Sequence, residues 1–500
     1  MSESKNTVLW QGQEIIWQDV VKVARHHSVL QLSETIWQRI HQSHDIVQQI
    51  VTSQTRAYGI TTGLGALSDV VLDSDKLSQL SHNTIQSHAC GVGEPLTDEQ
   101  TRAIICAAIA NYSHGHSGIS ADVVKALLAL LNLQITPIVP SQGSVGYLTH
   151  MAHISLALIG MGEVHYQNQR MSAEQALQLA GLKPVTLGAK EGLSLVNGTP
   201  CMTGLASLAL ADASMLLNWA DIIGAMSFES LKGQLDCLDE QMLALKPNPG
   251  IQTVGKRIRE CLKGSQILSQ CQGIRTQDAL SIRSMPQVHG ACRDQFEHCE
   301  KQINCELNSV TDNPLILGSA QQWRVISQAH PHGESIAMAT DLLAIALAEI
   351  GSMSERRLDR LLNPLVSQLP AFLVAEPGVN SGMMIAQYTA ASLCADNKAA
   401  AQPAVLDNYV TSALQEDHLS FGTRSALKLH SVVANTRHIL AIEYILAAQA
   451  VEFIGPDLMA TGTFVAWQHI REKVPSWQSD RWLAPDIDSA TSLLNYPSMM

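Results

Sequence analysis

Five long stretches rich in Ala, Leu and Ile constrain this chain more than anything else in it: roughly 200–232, 291–310, 334–361, 381–402 and 423–453. Apolar residues recur in them at helical spacing. Pro and Gly cluster only between them, as in Pro247-Asn248-Pro249-Gly250 and Glu376-Pro377-Gly378. Long helices of this kind bury their apolar faces against one another, so the spacing predicts a helix bundle. The segment 465–500 holds three Trp and three Pro and reads as a cap on that bundle.

Before residue 200 the pattern is mixed. Residues 7–20 carry two short runs rich in Trp, Val and Ile around Gln11-Gly12-Gln13, which reads as a small hairpin. From Ser33, a possible cap, the residues Ile36, Ile40, Val47, Ile50 and Val51 fall on one helical face. Tyr58-Gly59-Ile60-Thr61-Thr62-Gly63-Leu64-Gly65 breaks that pattern and reads as a loop. Helices are predicted over 75–90, 97–113, 123–133 and 173–180. Pro137, Pro140 and Gly143 open a further loop between the last two. The expected division is a smaller mixed domain, 1–200, and a long-helix domain, 201–500, in a mainly α chain. There is no internal repeat and no low-complexity segment.

Charged residues make up only 15% of the chain against 46% hydrophobic, where about 25% charged is usual for a soluble chain. Surface hidden between subunits accounts for such a deficit, so an oligomer is expected. A net charge of -13 with no basic run argues against nucleic acid. The N-terminus is polar, without a signal-peptide core, and the longest uncharged stretch, about 145–162, is broken by Thr149, His150 and His153. No membrane is expected. The ten cysteines are scattered singly, with no Cys-x-x-Cys, the pattern of reduced thiols in a cytoplasmic protein.

Several strings stand out beyond periodicity: the Tyr58 loop, Ser87-His88-Ala89-Cys90-Gly91-Val92-Gly93-Glu94-Pro95, Gly143-Ser144-Val145-Gly146 and Asn197-Gly198-Thr199. Further along come Gln277-Asp278 with Ser281-Ile282-Arg283, Asn308-Ser309-Val310-Thr311-Asp312-Asn313-Pro314, Ser354-Glu355-Arg356-Arg357, Asn380-Ser381-Gly382 and Gln415-Glu416-Asp417-His418. In these strings, over nearly its whole length, the chain resembles the histidine/phenylalanine ammonia-lyase family, the aromatic amino acid lyases. The resemblance implies a homotetramer whose active sites each draw on three subunits. In that family Gly-Ser-Val-Gly is followed by Ala-Ser-Gly, which cyclises into an electrophilic methylidene-imidazolone. Here Gly146 runs straight into Tyr147, and no Ala-Ser-Gly occurs anywhere in the chain. The expectation is therefore a family member without a methylidene-imidazolone or any other cofactor.

The resemblance also assigns roles. Tyr58 matches the base that takes the β-proton; with an ordinary phenol pKa of about 10, it needs nearby positive charge or donors to serve at neutral pH. Arg283 matches the arginine that holds the substrate carboxylate, a task suited to a planar, bidentate guanidinium. Asn197 and Gln277 match amides lining the site, able to donate and accept without adding charge. His88 and Glu416 match positions of the histidine-specific members: the histidine there meets the imidazole ring, and the glutamate, read as catalytic, can hold an imidazole N–H or stabilise a departing cation, or else bridge subunits. The family's site tyrosine is replaced by Leu280 and its Asn-Phe-His-Gly by His330-Pro331-His332-Gly333, while Tyr147 and His150 arrive where the tripeptide stood. His330-x-His332 with Glu334 nearby, and His150-x-x-His153, have metal-ligand types but lack further ligands at usual spacings, so no metal is expected.

Ammonia leaves poorly without an electrophile, whereas a trimethylammonium group departs as neutral trimethylamine. The first expectation is thus an electrophile-free elimination of trimethylamine from ergothioneine or hercynine, as in the ergothionase branch of the family. The alternatives are a histidine ammonia-lyase, giving urocanate and ammonia, and a non-catalytic binding homologue.

Overall fold

The computed structural model describes residues 6–497; the polar N-terminus noted above falls, apart from Asn6, outside them. The fold is mainly helical, with the long helices the periodicity predicts: Pro200–Ser230, Met285–Leu307, Glu334–Leu362, Met384–Ala400 and Gly422–Glu452. The chain forms two compact units, each drawn from three stretches: 1–210, 300–341 and 403–427 in the first, and 211–299, 342–402 and 428–500 in the second.

The first unit carries the strands. Thr7–Trp10 pairs in parallel with Val29–Leu32, and the intervening Trp17–Ala24 is a helix. The hairpin expected over 7–20 is therefore absent. The second run, with Ile15, Ile16, Trp17 and Val20, leads into a short amphipathic helix on which Val20 is buried together with Val21, Val23 and Ala24. Helix Asp98–Ser113 opens with a capping box: Thr97 Oγ1 accepts from Gln100 N at 3.3 Å and Gln100 Oε1 from Thr97 N at 3.0 Å. All its residues from Thr101 to Ser113 are buried, and Gly204 lies so close to it that a Cβ there would sit 2.6 Å from the Ala103 carbonyl. Two hairpins that periodicity missed, Glu163–Tyr166 with Gln169–Ser172 and Leu315–Ser319 with Gln322–Ile326, complete the unit's sheets. An apolar cluster of Ile46, Val47, Ile50, Ala57, Ile60, Leu77, Ala189 and Ile316 lies directly beneath the Tyr58 loop.

The second unit is helical with an unusual polar core. The Arg357 guanidinium donates to Glu443 through Nε at 2.6 Å and Nη2 at 2.8 Å, both side chains being fully buried, and Ser227 Oγ donates to the same carboxylate at 2.6 Å. Asp221, equally buried, accepts from Arg257 Nε and His289 Nδ1 at 3.0 Å each and from Arg293. Charges taken out of water need this density of partners. Two segments, Glu191–Ser230 and Glu334–Leu362, are long and apolar enough to cross a membrane, and 78% and 61% of their most apolar windows are buried inside the protein, as in core helices.

Candidate active site

Three segments of the first unit build one cleft of about 1150 Å³. The Tyr58 loop supplies one wall. Gly59 adopts φ +64°, and a Cβ there would meet Leu193 Cδ2 at 2.4 Å, so the turn admits only glycine. Thr61 Oγ1 accepts from Ala57 N at 2.9 Å and donates to the Thr55 carbonyl at 2.8 Å; Thr62 Oγ1 accepts from Gly59 N at 3.1 Å. These bonds explain the Gly-Ile-Thr-Thr string: the two hydroxyls replace the ladder bonds the turn lacks. Tyr58 is half-buried, its oxygen accepting from Gly65 N at 3.3 Å. Burial pushes its phenol above the ordinary value, the Gly65 amide opposes this, and the Glu416 and Asp312 carboxylates add to the rise. The depression expected from the sequence is thus reversed, because burial first and the two carboxylates next outweigh the one amide donor.

The second wall is Asn197. Its Nδ2 donates to Asp312 Oδ1 at 3.2 Å and to the Asn313 carbonyl at 2.8 Å. With the amide so used, only its Oδ1 remains, and the amide expected to donate and accept can do no more than accept at the cleft. Asp312 in turn accepts from Lys190 Nζ at 2.8 Å and Ser194 Oγ at 3.0 Å. Lys190 lies in no string singled out above; its signal, a lone lysine in an apolar context, is one that periodicity reads as a linker.

The third wall is the segment Ser412–His418. Ser412, Ala413 and Leu414 all have positive φ, of 49°, 51° and 74°, a costly run for side-chain-bearing residues. It delivers Glu416 to the cleft, where Thr411 Oγ1 donates to its Oε2 at 3.3 Å. His88 lines the same cleft, with Ser87 Oγ 3.0 Å from its Nδ1; burial lowers its pKa, and the Thr84 carbonyl and Glu416 oppose the shift. Tyr147 also lines it, and burial first and the nearby Glu416 carboxylate next raise its phenol above the ordinary value.

Four of the six expected site residues, Tyr58, His88, Asn197 and Glu416, therefore meet in one cleft. The other two belong to the second unit. Gln277 and Arg283 line a separate cavity of about 480 Å³ in the second unit, with Leu280, 64% exposed, beside them. With its oxygen turned toward Arg283, the Gln277 amide accepts from both Nη atoms at 2.6 Å. Leu280 and Pro331, the two replacements noted against the family's strings, line different cavities.

The histidine strings resolve differently from one another. His150 is buried, its Nε2 3.1 Å from the Ser141 carbonyl, and burial pulls its pKa down to about 4. His153 Nε2 accepts from Gly91 N at 2.9 Å, tying down the turn after His88. His332, Glu334 and His418 form the one group of potential metal ligands among the described residues. The carboxylate lies 3.9 Å from His332 Nδ1, while His418 Nδ1 lies 3.1 Å from His332 Nε2. One ligand atom from each of the three lies within 4.8 Å of the others, a grouping that could hold a metal ion.

The aromatic amino acid lyase profile matches residues 15–472. The chain is 45% identical over 487 residues to histidine ammonia-lyase of Symbiobacterium thermophilum, covering 97% of this chain and 96% of that one. It superposes on the crystal structure of histidine ammonia-lyase from Trypanosoma cruzi with a TM-score of 0.91 at 36% identity, covering 98% and 93% of the two chains. Ergothionase of Treponema denticola gives a TM-score of 0.92 at 28% identity over 98% and 99%.

These likenesses correct two expectations. Full-length relatives at 39% to 45% identity are histidine ammonia-lyases, which overturns the ergothionase-like reading in favour of its alternative. The cofactor-free expectation falls with it, since histidine ammonia-lyases use the methylidene-imidazolone formed from Ala-Ser-Gly. At the corresponding turn this chain has Gly146, at φ +142° with its Cβ position 2.8 Å from Ser420 Oγ, followed by Tyr147 and Leu148. The tripeptide Ala-Ser-Gly itself does not stand at this turn. Motifs, fold and full-length likeness agree that the chain belongs to the aromatic amino acid lyase family and is a carbon–nitrogen lyase.

Proposed function

We propose that the protein eliminates ammonia from histidine to give urocanate. What supports the reading is the cleft that gathers Tyr58, His88, Asn197 and Glu416, in a chain whose full-length relatives are named histidine ammonia-lyases. The bonds to be broken are one Cβ–H and the Cα–N of the substrate, and the electron pair from Cβ–H forms the new double bond. Tyr58, as phenolate, takes the β-proton. Glu416 accepts from the imidazole N–H, with His88 beside the ring, and Asn197 Oδ1 accepts from the substrate ammonium. Arg283, oriented by Gln277, grips the carboxylate with two parallel hydrogen bonds.

Arg283 reaches such a cleft from another subunit of a homotetramer. Consistent with that assembly, Met338, Leu342 and Ile345 form an exposed apolar stripe on helix Glu334–Leu362, and Ile385 and Tyr388 another on Met384–Ala400. Ten cysteines without a disulfide accord with a cytoplasmic location. The test is an incubation of the purified full-length chain with histidine, following urocanate by absorbance and ammonia by a coupled assay. Both products are expected in equal amounts. Trimethylamine from a trimethylated histidine derivative, with no urocanate from histidine, overturns the reading.

A further inference from the structure

The turn that stands in place of the family's tripeptide presents a second phenol to the cleft. Tyr147 lies between Gly146, at φ +142°, and Leu148, at φ +73° and ψ -70°, a conformation that side-chain-bearing residues rarely adopt. The turn is pinned from both sides. Leu148 N donates to the Val196 carbonyl at 3.1 Å, next to Asn197, and Phe421 N donates to the Val145 carbonyl at 2.9 Å. Ser144 Oγ donates to the Tyr147 carbonyl at 3.1 Å, and Thr423 Oγ1 to the Gly146 carbonyl at 3.3 Å. The backbone that carries Tyr147 is thus fixed on one side next to Asn197 and on the other to Phe421 and Thr423, at the start of the helix that follows the Glu416 segment.

We infer that Tyr147 is a positioning residue for Glu416: its hydroxyl donates to the carboxylate, and with the Thr411 hydroxyl it leaves one carboxylate face directed at the ring of an imidazole-bearing substrate. A carboxylate has about four acceptor positions. Thr411 occupies one, on Oε2, at 3.3 Å, and the Tyr147 hydroxyl, on the wall of the same cleft, is placed to take a second. A glutamate on the exposed Ser412–His418 segment has no other described side-chain partner to hold it. Burial, and the Glu416 charge next, raise the Tyr147 phenol above its ordinary value, so it stays a donor across the working pH range. An imidazole N–H rewards this arrangement, whereas a phenyl ring, with no polar hydrogen, gains nothing from it.

The inference rests on the histidine reading, and its test separates the two. Dissociation constants for urocanate and for cinnamate, its phenyl counterpart, are measured on the full-length protein and on Tyr147→Phe and Glu416→Gln. Tyr147→Phe is expected to bind urocanate about 10-fold more weakly, the loss of one hydrogen bond to a charged group, and cinnamate unchanged. Glu416→Gln is expected to lose the preference for urocanate altogether. A Tyr147→Phe protein that keeps the wild-type preference, or one that loses affinity for both ligands alike, overturns the inference alone. A wild type without any preference for urocanate over cinnamate overturns the histidine reading and this inference with it.

Discussion

Lys190 Nζ donates to Asp312 Oδ2 at 2.8 Å, and neither side chain has any exposed surface. The pair stands behind the cleft: Asp312 accepts from Asn197 Nδ2, so the lysine sets the position of an amide it does not touch. Removing one member of a buried pair strands the other's charge, which costs about 3–5 kcal/mol. Lys190→Met should lower unfolding stability by that amount in urea titrations monitored by circular dichroism. Lys190→Met with Asp312→Leu should recover much of it, and a single variant as stable as wild type would show that the pair contributes nothing.

His150 predicts an acid limb in stability. Its folded pKa of about 4 lies below the ordinary value of 6.5, so between those two pH values the unfolded chain binds a proton that the folded chain refuses. Stability therefore rises with pH across this window. The full contribution is present above pH 6.5 and is lost as pH falls toward 4, on the order of 3 kcal/mol in all. His150→Gln keeps a donor for the Ser141 carbonyl but does not titrate. Denaturant midpoints measured from pH 4 to 7 should show a shallower slope for this variant, and parallel curves would assign the acid sensitivity to other groups.

How much of this was legible in the sequence depended on how local the signal was. The long helices came out of periodicity to within a few residues because each buries an apolar face set by its own spacing. The 7–20 hairpin failed because Ile15, Ile16, Trp17 and Val20 have strand propensity, yet the helix Trp17–Ala24 takes up the end of that run and buries Val20 on its apolar face. The Tyr58, His88, Asn197 and Glu416 strings could be found one at a time. Their meeting, and the partnership of Tyr147 with Glu416, join positions far apart in the chain and leave no trace in spacing. The buried pairs Lys190–Asp312 and Arg357–Glu443 were invisible for the same reason. The role of the cleft was misjudged through one local fact, the missing tripeptide, which outweighed resemblance spread over the whole chain.

Tyr58 should behave as a base that is hard to ionise. Burial and the neighbouring carboxylates hold its phenol above 10, so the phenolate fraction is small at neutral pH and grows with alkalinity. Turnover of histidine should climb with pH on the alkaline side without levelling near neutrality. Tyr58→Phe should cut kcat by about 10²–10⁴ while leaving the urocanate dissociation constant within a few-fold of wild type. A pH profile that plateaus below pH 8 would mean that a cation from elsewhere in the assembly lowers this phenol, and an unchanged kcat would place the base on another residue.

Arg283 tests whether the two cavities belong to one site. Arg283→Lys replaces a planar fork by a point charge, so affinity for urocanate should fall about 10-fold or more while affinity for the urocanate methyl ester stays the same. The decisive experiment combines this variant with Tyr58→Phe. Tyr58 and Arg283 line different cavities of the chain, so the proposal needs them to meet across a subunit boundary. When the two impaired variants are unfolded together and refolded as mixed oligomers, about a quarter of the sites should then take both native residues, one from each parent, and activity should rise above that of either variant alone to a corresponding extent. If both residues serve a site from the same chain, every site carries one lesion and mixing restores nothing. A silent mixture, shown by light scattering to contain both variants in one oligomer, would therefore rule out the shared site while leaving the family assignment untouched.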